Sequence, residues 1–365
     1  MARKRLNRLC VPRKLNRQNE TLRIGFVPLV DCAPIAVAAE AGIFARRGLN
    51  VQLMREPGWA SIRDKVAYGE LEAAHAPVGL AFALNWGLGV LRQPCLTGYL
   101  LNSNGDAITF SNEFNERGVL DPKTLAKYIQ TERRDRPVTF AVPHLFSTHH
   151  FLLLHWLRPA GLQSGRDYQV IILPPSLMAT CLASGNIDAY CVGEPFNTQA
   201  VQEEAGVIVA ESAQVAPMHP EKALVVTEAF EEREHDLHMA LIEAIAEAAA
   251  HCETPEGRDI AADILSHPQF LGLDKDLIRS SLFAGDESEG AVSSERFHVF
   301  SHPEVNRPTL DKANWLLAQM RYAGLITDAE VKSGPSINRI FREDLFDQAT
   351  ASQQASDRNI SLKLL

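Results

Sequence analysis

A lysine at the start of an apolar segment is the charged residue of this 365-residue chain whose setting most suggests ligand binding. Lys222 ends the run Met-His-Pro-Glu-Lys and is followed by four apolar residues. An ammonium group attracts a small monoanion, whereas a carboxylate there would repel it unless a metal cation intervened. Lys222 is therefore a candidate anion ligand, and a solvated charge at the start of a strand is the alternative.

A histidine stands where a helix is predicted to begin. Apolar residues with helical spacing predict a helix over about residues 145–157, and His144 comes immediately before it. Unpaired N–H groups and the helix dipole attract anions to such a position, so His144 is a candidate ligand, with a structural capping role as the alternative. His149, His150 and His155 lack the i,i+4 spacing of a metal site and are interpreted as structural or exposed.

Two further candidates have small neighbours or no side chain. Trp59 lies between a glycine and an alanine in a predicted loop, where its indole N–H can donate to an anion; a core position is the alternative. Gly193 precedes a Glu-Pro pair at a predicted strand end, where a missing side chain lets backbone N–H groups approach a ligand. An ordinary turn glycine explains the second pattern equally well.

Alternating strand and helix patterns must position these residues. Apolar segments at 22–29, 49–54 and 138–142 are typical of buried strands, and segments of helical spacing separate them. This alternation predicts an α/β architecture. From about residue 214 the pattern becomes strongly helical.

An internal echo suggests two similar lobes. Residues 68–74 (YGELEAA) resemble residues 184–190 (SGNIDAY), and each segment contains a glycine turn, an apolar residue, an acid and a small-residue strand. Coincidence is the alternative for so few positions. Two α/β lobes with a shared cleft would offer a favoured place for a small ligand.

Composition and charge exclude several classes of protein. With 46% hydrophobic and 22% charged residues, the chain is typical of a globular protein of two domains. The net charge of −9 argues against a nucleic-acid-coating surface, and no apolar run is long enough for a membrane span. No P-loop, G-x-G-x-x-G or G-x-S-x-G motif occurs, which predicts that the protein is not an enzyme.

The first residues and the cysteines bear on location. Residues 1–23 carry a net charge of +7, and residues 1–21 are predicted to be a basic flexible tail without direct nucleic-acid contact. No apolar stretch of a secretory signal follows these basic residues, and the six cysteines are scattered. These features predict free thiols and a cytoplasmic location.

Several motifs, taken together and in order, resemble the nitrate/bicarbonate solute-binding proteins of bacterial ABC transporters over about residues 22–325. They are Asp31-Cys-Ala-Pro34, the segments 40–51 and 58–64, Val142-Pro-His144, Pro174-Pro175, Gly193-Glu-Pro195 and His219-Pro-Glu-Lys222. The resemblance implies a two-lobed α/β fold of the periplasmic-binding-protein type (type II), with the ligand cleft between the lobes. Lobe 1 would comprise residues 22–111 plus 214–330, lobe 2 residues 112–213, and residues 331–365 a C-terminal tail.

The resemblance also implies a ligand site for nitrate or nitrite, without a metal or another cofactor. The residues it assigns to that site are Trp59, Asn102, His144, Gly193 and Lys222. Asn102 stands where the transport relatives have a glutamine, so its contact would reach less far. His75 is a further candidate, for nitrite tolerance or for contact with a partner.

A narrower group within this family resembles the chain more closely, namely the cytoplasmic nitrate/nitrite sensors (NasS-type). In that group, the sensor holds an RNA-binding antiterminator of the ANTAR class inactive, and the anion releases it. The resemblance therefore predicts a sensor with an ANTAR-domain partner and no membrane association. The substrate-binding component of a nitrate or bicarbonate ABC transporter is the alternative.

Overall fold

Two β-sheets with helices on their faces form the architecture of the chain. The computed structural model describes residues 21–132, 136–284 and 297–351. The predicted basic tail, Cys10 and residues 352–365 of the predicted C-terminal tail lie outside these ranges, apart from residue 21. No helix within the described residues is long and apolar enough to cross a membrane.

The described strands divide between a seven-stranded and a five-stranded sheet. In chain order they are β1 Leu22–Phe26, β2 Val51–Arg55, β3 Ala73–Pro77, β4 Cys95–Leu96, β5 Leu100–Asn104, β6 Asp106–Ser111, β7 Val138–Val142, β8 Tyr168–Ile172, β9 Ala189–Gly193, β10 Gly206–Glu211, β11 Pro220–Thr227 and β12 His298–Val299. The first sheet has the order β2-β1-β3-β11-β5-β12, with β4 also paired to β11. The second sheet has the order β8-β7-β9-β6-β10. The predicted α/β class is confirmed.

The helices of the described residues connect and cover these sheets. They are α1 Ala33–Glu40, α2 Ile43–Arg46, α3 Trp59–Ala67, α4 Val78–Trp86, α5 Asn112–Glu116, α6 Pro122–Thr131, α7 Thr148–Leu157, α8 Met178–Ala183, α9 Phe196–Gln202, α10 Ser212–Val215, α11 Glu228–Arg233, α12 His235–Cys252, α13 Pro255–Ser266, α14 Lys275–Leu282, α15 Pro303–Asn306, α16 Leu310–Tyr322, α17 Asp328–Ser333 and α18 Ile337–Ile340. Residues 343–351 are helical as well. The long α12 packs against α1 on the first sheet, in agreement with the helical pattern predicted beyond residue 214.

The chain passes between the two lobes at two places. The first passage runs from β5 to β6 through Gly105, whose φ of +90° lies in the region that favours glycine. Because β6 pairs with β9 and β10, residues 106–111 belong to the second lobe, and the boundary predicted after residue 111 moves to Gly105. The second passage runs from β10 through α10 to β11.

The internal echo occupies matching places in the two sheets. β3 pairs in parallel with β1, and β9 pairs in parallel with β7. Glu72, before β3, accepts a hydrogen bond from the backbone N–H of Arg23 at 2.9 Å, and Asp188, before β9, accepts one from Thr139 N–H at 2.7 Å. The acid therefore accepts an equivalent backbone hydrogen bond in both lobes, which argues against a coincidental similarity of the two sequence segments.

Two helices begin elsewhere than the sequence pattern predicts. Helix α7 begins at Thr148, because the Ser147 hydroxyl accepts a hydrogen bond from the N–H of His150 and caps the helix there. The prediction that it begins directly after His144 is wrong. Trp59 is the first residue of α3, so the prediction of a loop at this position is also wrong.

Part of the predicted C-terminal tail packs on the first lobe. Phe341 forms a bridge with Thr97, and its ring stacks on Phe82 with 5.4 Å between centroids. Leu345 and Phe346 are buried as well. Phe341 packs on α4, and the Phe346 ring stacks on Tyr99 with 6.1 Å between centroids, so as far as residue 351 this segment is part of the core of lobe 1.

We predict that Phe341→Ala lowers the free energy of unfolding by about 3–5 kcal/mol, since it removes a buried ring and leaves a cavity. Phe341 is 2% exposed, whereas Leu310, a matched apolar control in the same part of the fold, is 38% exposed. Leu310→Ala should change the stability by less than about 1 kcal/mol. Urea unfolding followed by circular dichroism measures both. Equal effects would show that the segment does not contribute to the core.

Candidate functional site

Lys222 lies at the start of β11, completely buried where the two lobes meet. Its Nζ lies 2.6 Å from Asp31 Oδ2 and also contacts Glu221 Oε1. The pairing of β5 with β11 is irregular at this residue, which lets Glu221 and Lys222 point into the same region. The alternative of a solvated charge is therefore wrong for Lys222, whose side chain is 0% exposed.

Asn102 supports the backbone of Lys222. Its Oδ1 accepts a hydrogen bond from the Lys222 N–H at 3.2 Å, and its Nδ2 donates to the Asn104 carbonyl at 3.4 Å. Both the oxygen and the nitrogen of the side-chain amide are thus hydrogen-bonded within the protein. Asn102 reaches the predicted site, but in this structure it positions the lysine.

Asp31 and His75 complete the lobe 1 side of the site. Asp31 lies in the turn after β1, and His75 lies on β3 with its Nε2 3.0 Å from Asp31 Oδ1. His75 is 0% exposed, so the predicted contact with a partner is inconsistent with its position. Burial raises the pKa of the Asp31 carboxyl, but Lys222 and His75 outweigh burial and hold that pKa well below its ordinary value.

Trp59 forms one wall of the site. Its ring centroid is 5.4 Å from Lys222 Nζ and 5.7 Å from the ring of His75. Among the described residues its buried indole N–H has no hydrogen-bond partner. A buried donor without a partner is costly, so this N–H is available to a ligand.

The second lobe and the chain passages supply three further side chains near Lys222, those of Asp106, His149 and His219. Asp106 begins β6, and its Oδ1 lies 3.1 Å from Nε2 of His149 on α7. His219 precedes β11, and its Nε2 lies 3.4 Å from Asp106 Oδ2. His149 Nε2 is also 3.4 Å from Glu221 Oε1, so these side chains form one continuous network with Lys222.

Gly193 ends β9 directly beside this network. A Cβ built there would lie 3.3 Å from Asp106 Oδ1, 3.5 Å from His149 Nε2 and 3.6 Å from Asp31 Oδ2. The missing side chain thus allows carboxylates of both lobes to approach this backbone. The predicted approach of a ligand to the Gly193 backbone N–H stays a prediction.

We call seven of these side chains the interlobe cluster. They are Asp31, His75, Asp106, His149, His219, Glu221 and Lys222. With neutral imidazoles, three carboxylates and one ammonium give the cluster a formal charge of −2. Its ammonium and ring N–H groups can bind an anion, and its carboxylates and ring nitrogens can bind a cation.

Burial raises the pKa of Glu221, and the neighbouring Asp106 carboxylate raises it further. Burial lowers the pKa of Lys222, but Asp31 and Glu221 outweigh it and hold that pKa above its usual value. Lys222 is therefore charged at neutral pH.

His144 lies apart from the contacts that join the interlobe cluster. Its Nδ1 accepts a hydrogen bond from the N–H of Phe146 at 3.1 Å. Burial, and next the positive charge of Arg63, lower its pKa to about 4. The prediction that His144 directly precedes the helix is corrected, because the helix begins at Thr148, and its role as an anion ligand stays a prediction.

For His149 the structure reverses the sequence interpretation, because a residue that was not a site candidate lies in the interlobe cluster. It was expected to be structural or exposed, yet it is completely buried and contacts two carboxylates of the interlobe cluster. His150 Nδ1 donates a hydrogen bond to the Leu145 carbonyl oxygen, 2.8 Å away, and His155 is half-buried. These two agree with the structural interpretation.

The sequence interpretation missed Asp31, Asp106, His219 and Glu221 as site residues. Asp31, His219 and Glu221 stood within the quoted motifs, so their place in those motifs was a usable signal. Asp106 had no such signal, since it follows a glycine in a segment that was interpreted as part of lobe 1. Among the described residues, Asp106, His219 and Glu221 lie close enough together to bind a cation. The expected absence of a metal therefore stays a prediction.

Three comparisons with known proteins agree with this architecture. The sequence pattern of the NMT1-like family matches residues 16–266. The nitrate import ATP-binding protein NrtC of Synechocystis sp. is 33% identical over 334 residues, which are 90% of this chain and 49% of that protein. The bicarbonate transport ATP-binding protein CmpC of Synechococcus elongatus is 33% identical over 301 residues, 82% of this chain and 44% of that protein. The chain thus spans about half the length of these relatives.

A solved structure shows the same fold. The periplasmic nitrate-binding protein NrtA from Synechocystis PCC 6803 superposes with a TM-score of 0.82 at 23% identity. The match covers 91% of this chain and 88% of that one. The predicted two-lobed fold of the periplasmic-binding-protein type is confirmed.

Glu194 is a buried carboxyl beside the site. Its Oε2 accepts a hydrogen bond from Thr198 N–H, while Oε1 has no partner among the described residues. Burial raises its pKa to about 7. The folded protein therefore binds this proton more tightly than the unfolded chain does.

We predict that Lys222→Met lowers the free energy of unfolding by about 3–5 kcal/mol at pH 7.5, because it leaves Asp31 and Glu221 buried without their counter-ion. Lys275→Met is the control, since Lys275 and its partner Asp263 are 50% and 59% exposed. That change should cost less than about 1 kcal/mol. Urea denaturation compares the two. A loss for Lys222→Met no larger than the control's would contradict the pairing described here.

We predict a pH-dependent effect of Glu194→Gln. With a folded pKa of about 7 against an ordinary 4.5, Glu194 contributes stability at low pH that is lost as pH rises from about 4.5 to 7. The stability of the variant relative to the wild type should therefore rise by about 2–3 kcal/mol between pH 4.5 and pH 7.5. Denaturation at both pH values measures this difference. A difference that does not change with pH would exclude the raised pKa.

Proposed function

The chain belongs to the NMT1-like family, and from that membership we propose that it binds nitrate or nitrite between its lobes as the substrate-binding component of an import system. The observation that carries the proposal is the buried Lys222 ammonium, which lies between the lobes beside the Trp59 indole. Relatives named for nitrate import and for bicarbonate transport support a small oxyanion as the ligand. Binding without catalysis is part of this proposal.

The charge at position 222 favours nitrate or nitrite over bicarbonate. An ammonium can bind a monoanion directly, whereas a carboxylate in its place requires a bridging cation such as calcium. Lys222 is therefore the residue on which this choice of anion depends.

Groups of both lobes surround the proposed anion site. Lys222 Nζ and the indole N–H of Trp59, which has no hydrogen-bond partner among the described residues, approach from lobe 1. The His149 ring approaches from lobe 2, where its Nε2 already faces Asp106 and Glu221. Because Asp31 and Glu221 already hold the ammonium, the Trp59 indole N–H must supply part of the binding energy. Each nitrate oxygen can accept such hydrogen bonds.

Contacts between the lobes supply the conformational coupling. The Val30 N–H donates to the Glu194 carbonyl at 2.9 Å, and the Gly193 backbone lies against Asp31. These contacts exist only while the lobes are together. An anion held by groups from both lobes shifts the population toward this closed arrangement.

A more specific proposal is that the protein is a cytoplasmic sensor that binds an ANTAR-domain antiterminator. This role requires the same anion binding and the same closure of the lobes as the import role. The two roles differ in the partner protein that binds one form, with open or with closed lobes, in preference to the other. By reciprocity, a partner that binds the open form must weaken anion binding. A purified ANTAR-domain antiterminator that leaves nitrate affinity unchanged at saturation would exclude the sensor mechanism.

We predict that nitrate or nitrite binds the purified protein in a calorimetric titration, and that Trp59→Phe weakens the affinity about 10-fold to 100-fold. Phenylalanine keeps a six-membered aromatic ring but removes the N–H that would bond the anion, and the expected weakening is typical of the loss of a hydrogen bond to a charged group. Trp86→Phe is the matched control, because the Trp86 N–H already donates to the Glu330 carbonyl at 2.8 Å. The control should leave the affinity unchanged.

Two results of the same titration would contradict the proposal. Bicarbonate binding that requires calcium, without nitrate binding, would place the protein on the bicarbonate side of the family. The absence of binding for nitrate, nitrite and bicarbonate would overturn the anion-binding function itself.

A further inference from the structure

The tautomer of His219 leaves a lone pair facing two carboxylates. Its Nδ1 lies 2.8 Å from the Ala216 carbonyl oxygen, which can only accept, so this nitrogen carries a proton. In a neutral ring, Nε2 is then an acceptor. It lies 3.4 Å from Asp106 Oδ2 and 3.9 Å from Glu221 Oε2, so one ring nitrogen and two carboxyl oxygens converge on one place, as the ligands of a cation do.

The spacing of these three atoms suits a metal ion. The ligand atoms of Asp106, His219 and Glu221 all lie within 4.8 Å of one another, and the three side chains are 0% exposed. Around a tetrahedral zinc with bonds of about 2.0–2.2 Å, ligand atoms lie about 3.3–3.6 Å apart. The two measured distances from His219 differ from this range by a few tenths of an ångström at most.

The charge of the site calls for a divalent cation. The interlobe cluster holds three carboxyl groups against one ammonium, and buried charges without counter-ions are costly. Lys222 contacts Oε1 of Glu221, whereas Oε2 has no hydrogen-bond partner among the described residues. The ammonium and a cation would therefore use opposite oxygens of the same carboxylate.

The surroundings orient the three ligands as in known metal sites. A metal-binding histidine commonly donates its other ring N–H to a backbone carbonyl, as His219 does to Ala216. The second oxygen of Asp106 lies 3.1 Å from His149 Nε2, which fixes the direction of that carboxylate. Asp106 is the first residue of β6, directly after the first passage of the chain between the lobes. His219 and Glu221 lie where the second passage reaches β11.

We propose that Asp106, His219 and Glu221 bind one divalent transition-metal ion at the crossing between the lobes. One imidazole and two carboxylates suit zinc, manganese or iron, whereas calcium takes six to eight oxygen ligands. The ion connects the two passages of the chain and neutralises the buried charge. This inference does not rest on the identity of the anion.

The experiment titrates the full chain, stripped of metal with a chelator and dialysed, with Zn²⁺ in a calorimeter. One ion per chain is expected to bind, and Asp106→Asn and His219→Gln should each weaken the binding about 100-fold or more. Glu194→Gln is the control, a buried carboxylate near Asp106 that lies outside the ligand set. It should bind zinc like the wild type.

Two further measurements keep the test decisive. Circular dichroism melting of each variant without metal shows whether it folds, and His219→Gln retains a polar side chain of similar reach for this purpose. Co²⁺ substitution should give d–d absorption without a thiolate band, which distinguishes this site from binding at a cysteine. A thiolate band, or zinc binding that is unchanged in both ligand variants, would overturn the proposal.

Nitrate titration of the metal-free and zinc-loaded protein separates this inference from the proposed function. Nitrate binding by a protein that takes up no zinc would overturn the metal site alone. Zinc binding at these residues without a response to any anion would support the metal site and overturn the anion-binding proposal.

Discussion

The buried ammonium of Lys222 is the interaction on which the site depends. A charge removed from water is tolerated only when counter-charges and hydrogen bonds surround it, and here Asp31 and Glu221 supply the counter-charges. Asn102 holds the backbone at the same position. Since these residues come from a turn and two neighbouring strands, the order of the first sheet is what brings them together.

The repeated construction of the lobes explains why a site forms between them. In each lobe an acid before a central strand, Glu72 or Asp188, accepts a hydrogen bond from the backbone of the neighbouring strand. The two sheets are thus built alike, and the chain passes between them twice. Residues at those passages, such as Asp106 and His219, necessarily lie where the lobes meet.

The cluster contains chemistry for ions of both signs, because Glu221 separates its two sides. On one side its carboxylate contacts Lys222, which with Trp59 presents positive or donor groups to an anion. On the other side it faces His219 and Asp106, whose atoms present lone pairs to a cation. In a medium of low dielectric constant such opposite charges stabilise one another, so occupation of the two sides is energetically compatible.

The sequence by itself determined the α/β class, the two similar lobes, and the candidate positions of Lys222 and Gly193, because apolar periodicity and linked motifs are local signals. Only the tertiary structure decided that His149 faces the cluster and that His144 does not directly precede the helix. The Ser147 cap begins the helix later than the apolar pattern indicates, and each residue turns a helix face by about 100°. The contact between His219 and Asp106 joins residues 113 positions apart, a pairing that no local pattern contains.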